Sequence, residues 1–130
     1  MSMLVSIDER PDLAKRGAGG RAIPGVGDDV PVLPDRQGIT KFMGDPERGP
    51  WVYYTESPAG DRIPMHKHTS NRVEFLFKGR ILWHERGQEP AEQGAGTMSY
   101  VEAGTVYGYD VLEDAVILVM FDAPPGINFM

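Results

Sequence analysis

The chain has 130 residues, a formal net charge of −6, 41% hydrophobic and 25% charged residues, a composition that suits one globular domain and excludes wholesale disorder. With no cysteine it carries no disulfide scaffold, cysteine zinc site or thiol nucleophile, and a cytoplasmic location is the expectation. The acidic balance argues against nucleic acid as a partner, and the longest apolar run, Ala115 to Phe121, falls well short of the roughly 18 residues of a membrane span.

Residues 1–35 stand apart. They hold Arg16-Gly-Ala-Gly-Gly-Arg21 and then Pro24, Pro31 and Pro34, with no sustained helical or strand period, and read as an extended N-terminal arm rather than a second domain. Leu4, Val5, Ile7, Ile23, Val26, Val30, Val32 and Leu33 are too apolar for a free tail. The arm is therefore expected to pack along the body of the protein or on a partner subunit. Beyond a turn near Asp8–Lys15, no helix is expected.

From residue 36 to 130 the chain reads as a single barrel of short strands separated by turn residues. Gly38–Phe42 is a weak run, and Trp51-Val-Tyr-Tyr-Thr55 a strong one. Ser57-Pro-Ala-Gly60 is a turn leading into Arg62–His66. Val73–Phe77 ends at Lys78-Gly79, and Arg80–His84 follows directly. Glu85–Gln93 is polar and reads as a loop. Thr97–Val101 and Thr105–Tyr109 are further strands, and the continuously apolar Ala115–Phe121 is expected to be a central strand buried on both faces.

The chain has three histidines, and two of them form His66-Lys-His68. With three placed at random, an i, i+2 pair arises with a chance on the order of 5%, so the spacing carries information. In an extended segment residues two apart share a face, which sets both imidazoles toward one point, the beginning of a divalent metal site. Two solvated histidines at a polar strand end are the alternative on spacing alone.

The text around the pair, Gly60-Asp-Arg-Ile-Pro-Met-His66-Lys-His68-Thr-Ser-Asn-Arg-Val-Glu74-Phe-Leu-Phe-Lys-Gly79, resembles the first motif of the cupin superfamily. Gly96-Thr-Met-Ser-Tyr-Val-Glu102-Ala-Gly104-Thr-Val-Tyr107 matches the spacing of the second. The resemblance covers roughly residues 50–122. It implies an all-β fold, a double-stranded β-helix of the jelly-roll kind, with one metal ion in the barrel. Ile63–Thr69 is also similar to small dioxygenase cupins such as those acting on acetylacetone or dihydroxyacetophenone.

Two positions depart from the pattern. Counting back from Gly79, the motif's glutamate position holds Arg72, whose guanidinium is permanently charged and cannot ligate a cation. Glu74, two positions on, shares its strand face with Arg72. Pointing inward it needs a cation, either the metal or Arg72. Tyr107 stands in place of the second motif's histidine, either as a hydrogen-bonding group of the pocket wall or as a barrel-filling aromatic. His84 is kept as a spare ligand. Trp51, Tyr53, Tyr54, Trp83, Tyr100 and Tyr109 either line a pocket or fill the barrel, Gly17–Gly20 lacks the features of a phosphate loop, and Ser57, Ser70 and Ser99 have no triad context.

The resemblance thus implies metal ligands His66, His68 and Glu74, with Tyr107 and Arg72 as catalytic residues. On iron, the expected metal, such a face suits a dioxygenase acting on a small ketone, diketone or phenolic compound. On zinc, nickel or manganese it suits an isomerase, lyase or cyclase. A barrel with a broken metal set would instead be a non-enzymatic module for a small organic ligand. The apolar arm, with Phe75 and Phe77 on an outer strand, leads to the expectation of a homodimer.

Overall fold

The computed structural model describes residues 4, 6, 8, 38–45, 48–123 and 126–129, the last two by backbone only. Apart from Leu4, Ser6 and Asp8, the expected arm lies outside the described residues, as does most of the expected turn near Asp8–Lys15. Eight strands follow: β1 (Ile39–Gly44), β2 (Trp51–Ser57), β3 (Arg62–Lys67), β4 (Arg72–Glu85), β5 (Ala91–Gly94), β6 (Met98–Val101), β7 (Tyr107–Phe121) and β8 (Asn128–Phe129). Among the described residues no helix is long and apolar enough to cross a membrane.

All the pairings are antiparallel. β7 lies at the centre, with residues 115–121 against β2, 107–110 against β3, and β4 along nearly its whole length. The register divides the sheet into two halves that share the long strands β4 and β7. One half runs β1-β2-β7-β4-β6 through residues 72–78 and 115–121; the other runs β8-β3-β7-β4-β5 through 80–85 and 107–111. This is the double-stranded β-helix, in which long strands pass from one sheet to the other.

The passage between halves is built around Gly79. The β4–β7 register slips three times between Leu76 and Ile81, and Gly79 sits there at φ +87°, where an added Cβ would press on the Asp114 carbonyl and lie 2.8 Å from Ala115 Cα. Only glycine combines that backbone conformation with so close an approach. Lys78-Gly79 therefore bends one continuous 14-residue strand, where the sequence suggests a turn between two. The same holds on β7, where the exposed Glu113 and Asp114 mark a bend within a 15-residue strand.

Alternation sets the core. On β7 residues 107, 109, 111, 115, 117, 119 and 121 are buried, and on β4 residues 72, 74, 76, 81 and 83. Ala115–Phe121 is thus sealed on one face only: Val116 and Leu118 are half-buried and Met120 is exposed, because no layer covers that side among the described residues. Phe75 and Phe77 lie on the same outer side, packed edge to face at 4.3 Å, with Phe77 54% exposed. The polar stretch read as loop runs into β5, where Ala91–Gly94 pairs residues 80–83. Its side chains are largely exposed, so backbone pairing rather than burial makes it a strand.

Candidate active site in the barrel

His66 reaches the interior through a β-bulge. Ile63 pairs with Tyr109 and His66 with Tyr107, so Pro64 and Met65 stand opposite the single residue Gly108. Ile63 and His66 are three positions apart and would face opposite ways in a regular strand; the bulge turns both inward, where both are buried. Gly108 makes the bulge fit. A Cβ there would meet the Ile63 carbonyl oxygen at 2.6 Å, Pro64 C at 2.9 Å and Met65 N at 3.0 Å. Gly108→Ala is expected to push β3 from β7, lowering stability by about 1–3 kcal/mol in urea titrations and shifting the His66 ring resonances in NMR spectra.

The bulge also aims the Pro64 carbonyl at the His66 ring, with Nδ1 2.8 Å from that oxygen. A carbonyl only accepts, so Nδ1 carries the proton and Nε2 the lone pair. Burial is the main cause that lowers the His66 pKa to about 4, the Arg72 charge adding to it and the Pro64 bond opposing it. The imidazole is neutral at pH 7. His68, two residues on, is buried on the same side, its ring 4.9 Å from that of His66 and nearly perpendicular to it, and 4.9 Å from Phe121.

Arg72 enters the same space from β4 and is 1% exposed. Its Nε donates to the Tyr107 hydroxyl at 3.2 Å and Nη1 donates to the Ser70 carbonyl at 3.3 Å. The guanidinium carbon lies 4.5 Å from the Tyr107 ring centroid. Tyr107 is held between the Trp83 ring, stacked at 4.4 Å, and the His66 ring at 4.4 Å. Its hydroxyl donates to Glu74 Oε1 at 3.4 Å. The result is a chain, Arg72 to Tyr107 to Glu74, in which the phenol separates the guanidinium from the carboxyl group. Burial pushes the Glu74 pKa up to about 7, against the Arg72 charge and the Tyr107 bond. Burial and then Glu74 raise that of Tyr107 well above its usual value, so it stays a phenol.

His66, His68, Arg72, Glu74 and Tyr107 thus share one buried cluster. His84 does not: half-buried, it sets its Nε2 2.9 Å from Asp110 Oδ2. Tyr100 is exposed, and Tyr54 bonds Glu56 on the outer side. A cavity of about 10 Å³, room for one water, is lined by Glu74 with Leu76, Trp83, Ser99 and Tyr109 among others. Two residues that matter here are missed by sequence reasoning, which weighs Ser70 only as a triad serine. Ser70 is buried between His68 and Arg72, and its i+2 spacing from each was the available signal. Gly108 carried none, since a bulge is a pairing property.

The donor set does not fit a resident divalent metal. Among the described residues no three His, Asp or Glu side chains are placed to hold one. A guanidinium stands at the carboxylate's place in the motif, and a protonated phenol at the third histidine's. Two imidazoles alone fall short of the three protein ligands of an open catalytic site.

No family model and no curated protein matches the chain. Solved structures do. A conserved protein with a double-stranded β-helix domain from Klebsiella pneumoniae is 17% identical with a TM-score of 0.64, over 99% of this chain and 97% of its own. The DMSP lyase DddQ from Ruegeria pomeroyi is 18% identical with a TM-score of 0.63 over 85% of this chain. Oxalate decarboxylase from Bacillus subtilis, a mutant form, is 14% identical with a TM-score of 0.65 over 74%. The chain spans 59% of the length of that lyase and 29% of that decarboxylase. Strand order, the two long bent strands and these likenesses together give the chain the double-stranded β-helix fold of the cupins.

Proposed function

We propose that the barrel interior is the site of a small-molecule enzyme of the isomerase or lyase kind, which moves a proton at a carbon beside a carbonyl group. The observation that carries this reading is the buried chain from Arg72 through the Tyr107 hydroxyl to Glu74. Glu74, with its pKa near 7, is a base poised for neutral pH. It takes the proton from carbon, the C–H electron pair moves toward the carbonyl, and the carbonyl oxygen gains the charge. Arg72 donates to that oxygen and stabilises it. The proton then returns to another carbon, or a leaving group departs with its bonding pair. Tyr107 positions both partners, accepting from one and donating to the other.

That the same fold is found in a lyase and a decarboxylase is consistent with this reading. The oxidative alternative expected from the sequence rests on iron held by His66, His68 and Glu74. Hydrogen–deuterium exchange at the α-carbons of small ketones and keto acids, followed by NMR in D₂O, tests the reading. Exchange is expected with the wild type and is expected to fall about 10²–10⁴-fold in Glu74→Gln. Ligand binding with no exchange would point to a binding module, and oxygen uptake with bound iron would point to a dioxygenase.

A further inference from the structure

The Arg72 guanidinium is unusual in what it lacks. It is 1% exposed, yet its Nη2 has no hydrogen-bond partner, and neither has the buried Ser70 Oγ nearby in sequence nor Glu74 Oε2. No carboxylate pairs with Arg72 among the described residues; Glu74 reaches it only through the Tyr107 hydroxyl. The hydrogen-bond and ring partners of Arg72 are Tyr107, through its hydroxyl and its ring, and the Ser70 carbonyl, none of them anionic. A buried cation without a counter-ion is costly, and an Nη2 donor left unsatisfied adds to that cost.

We infer that Arg72 is the built-in cation of this barrel, taking the place of a metal ion, and that the site receives the carboxylate of a small organic acid. Charge-assisted hydrogen bonds from a guanidinium to a carboxylate are strong, and Nη2, left over once Nε and Nη1 are engaged, is the arm that can donate to one. Ser70, whose carbonyl accepts from Nη1, also carries a buried Oγ without a partner. Phe121 stands opposite Arg72 in the register and its ring packs against His68. This deepens the proton-transfer reading, on which it rests, by restricting its substrates to small carboxylic acids that also carry a carbonyl.

Two measurements on the tag-free full chain test it. In calorimetric titration, pyruvate is expected to bind at least about tenfold more tightly than pyruvamide, its neutral isostere. After equilibration with zinc and dialysis, the wild type is expected to retain well under one zinc per chain. Arg72→Glu, which puts a carboxylate where the guanidinium stood beside His66 and His68, is expected to retain about one and to lose the preference for pyruvate. Equal affinity for pyruvate and pyruvamide, or stoichiometric zinc in the wild type, overturns the inference, and both are read on the wild type even if the variant does not fold. Preferential pyruvate binding without deuterium exchange at its methyl group upholds the anion site and removes the proton-transfer reading instead.

Discussion

Replacing Glu74 by glutamine is expected to stabilise the protein, relative to wild type, by on the order of 3 kcal/mol more at pH 8 than at pH 4.5. The buried carboxyl holds its proton up to about 7 in the folded chain, against an ordinary value of 4.5. The stability it contributes is therefore fully present below 4.5 and is lost as pH rises through 7. Glutamine has no proton to lose. His66 works in the opposite direction: its pKa is lowered to about 4 from 6.5, so its contribution is present above 6.5 and is lost as pH falls through 4. Between 4.5 and 6.5 the two slopes offset each other in the wild type. Glu74→Gln exposes the histidine slope, and His66→Asn exposes the glutamate slope. Urea titrations at several pH values check this. A difference between wild type and Glu74→Gln that stays flat with pH would mean that Glu74 is ionised in the fold, as it would be beside a metal.

Arg72→Met is expected to fold with little loss of stability near pH 6, yet to slow proton exchange about 10²–10³-fold at saturating keto acid. An apolar side chain of similar length in place of a buried ion is often neutral or stabilising. What is lost is the donor to the developing oxyanion and the charge that restrains Glu74. Because Arg72 lowers the Glu74 pKa, its removal moves the rising limb of the pH–rate profile upward. A structural role alone would change the melting temperature and leave that limb in place.

Much of the barrel was legible because its signals are local. The i, i+2 histidines, the strong run Trp51–Thr55 and the glycine at 79 each report a short-range requirement. What was not legible depends on pairing across the sheet. Residues 73–77 and 80–84 read as two strands because Lys78-Gly79 is a turn signal, and nothing nearby says that β7 bends alongside. β5 was hidden by its polarity. At the site, Arg72 was visible as a departure from the motif, but its bond to Tyr107 spans 35 positions. Only the register brings them together, and it makes the phenol a bridge rather than a wall. The bulge at Pro64-Met65, which turns His66 inward, is likewise a property of two strands.

The central place of β7 also bears on how the chain acquires its shape during synthesis. β2, β3 and β4 all hydrogen-bond to β7, and residues 107–121 leave the ribosome after the other three. Until then β2 and β3 lack their principal partner, and the long β4 has only the short hairpin strands β5 and β6. Closing the barrel requires contacts between distant parts of the chain, which favours slow folding, and leaves unpaired edges open to other nascent chains in the interval. The strand that carries Tyr107 into the site is thus also the one that ends this exposure.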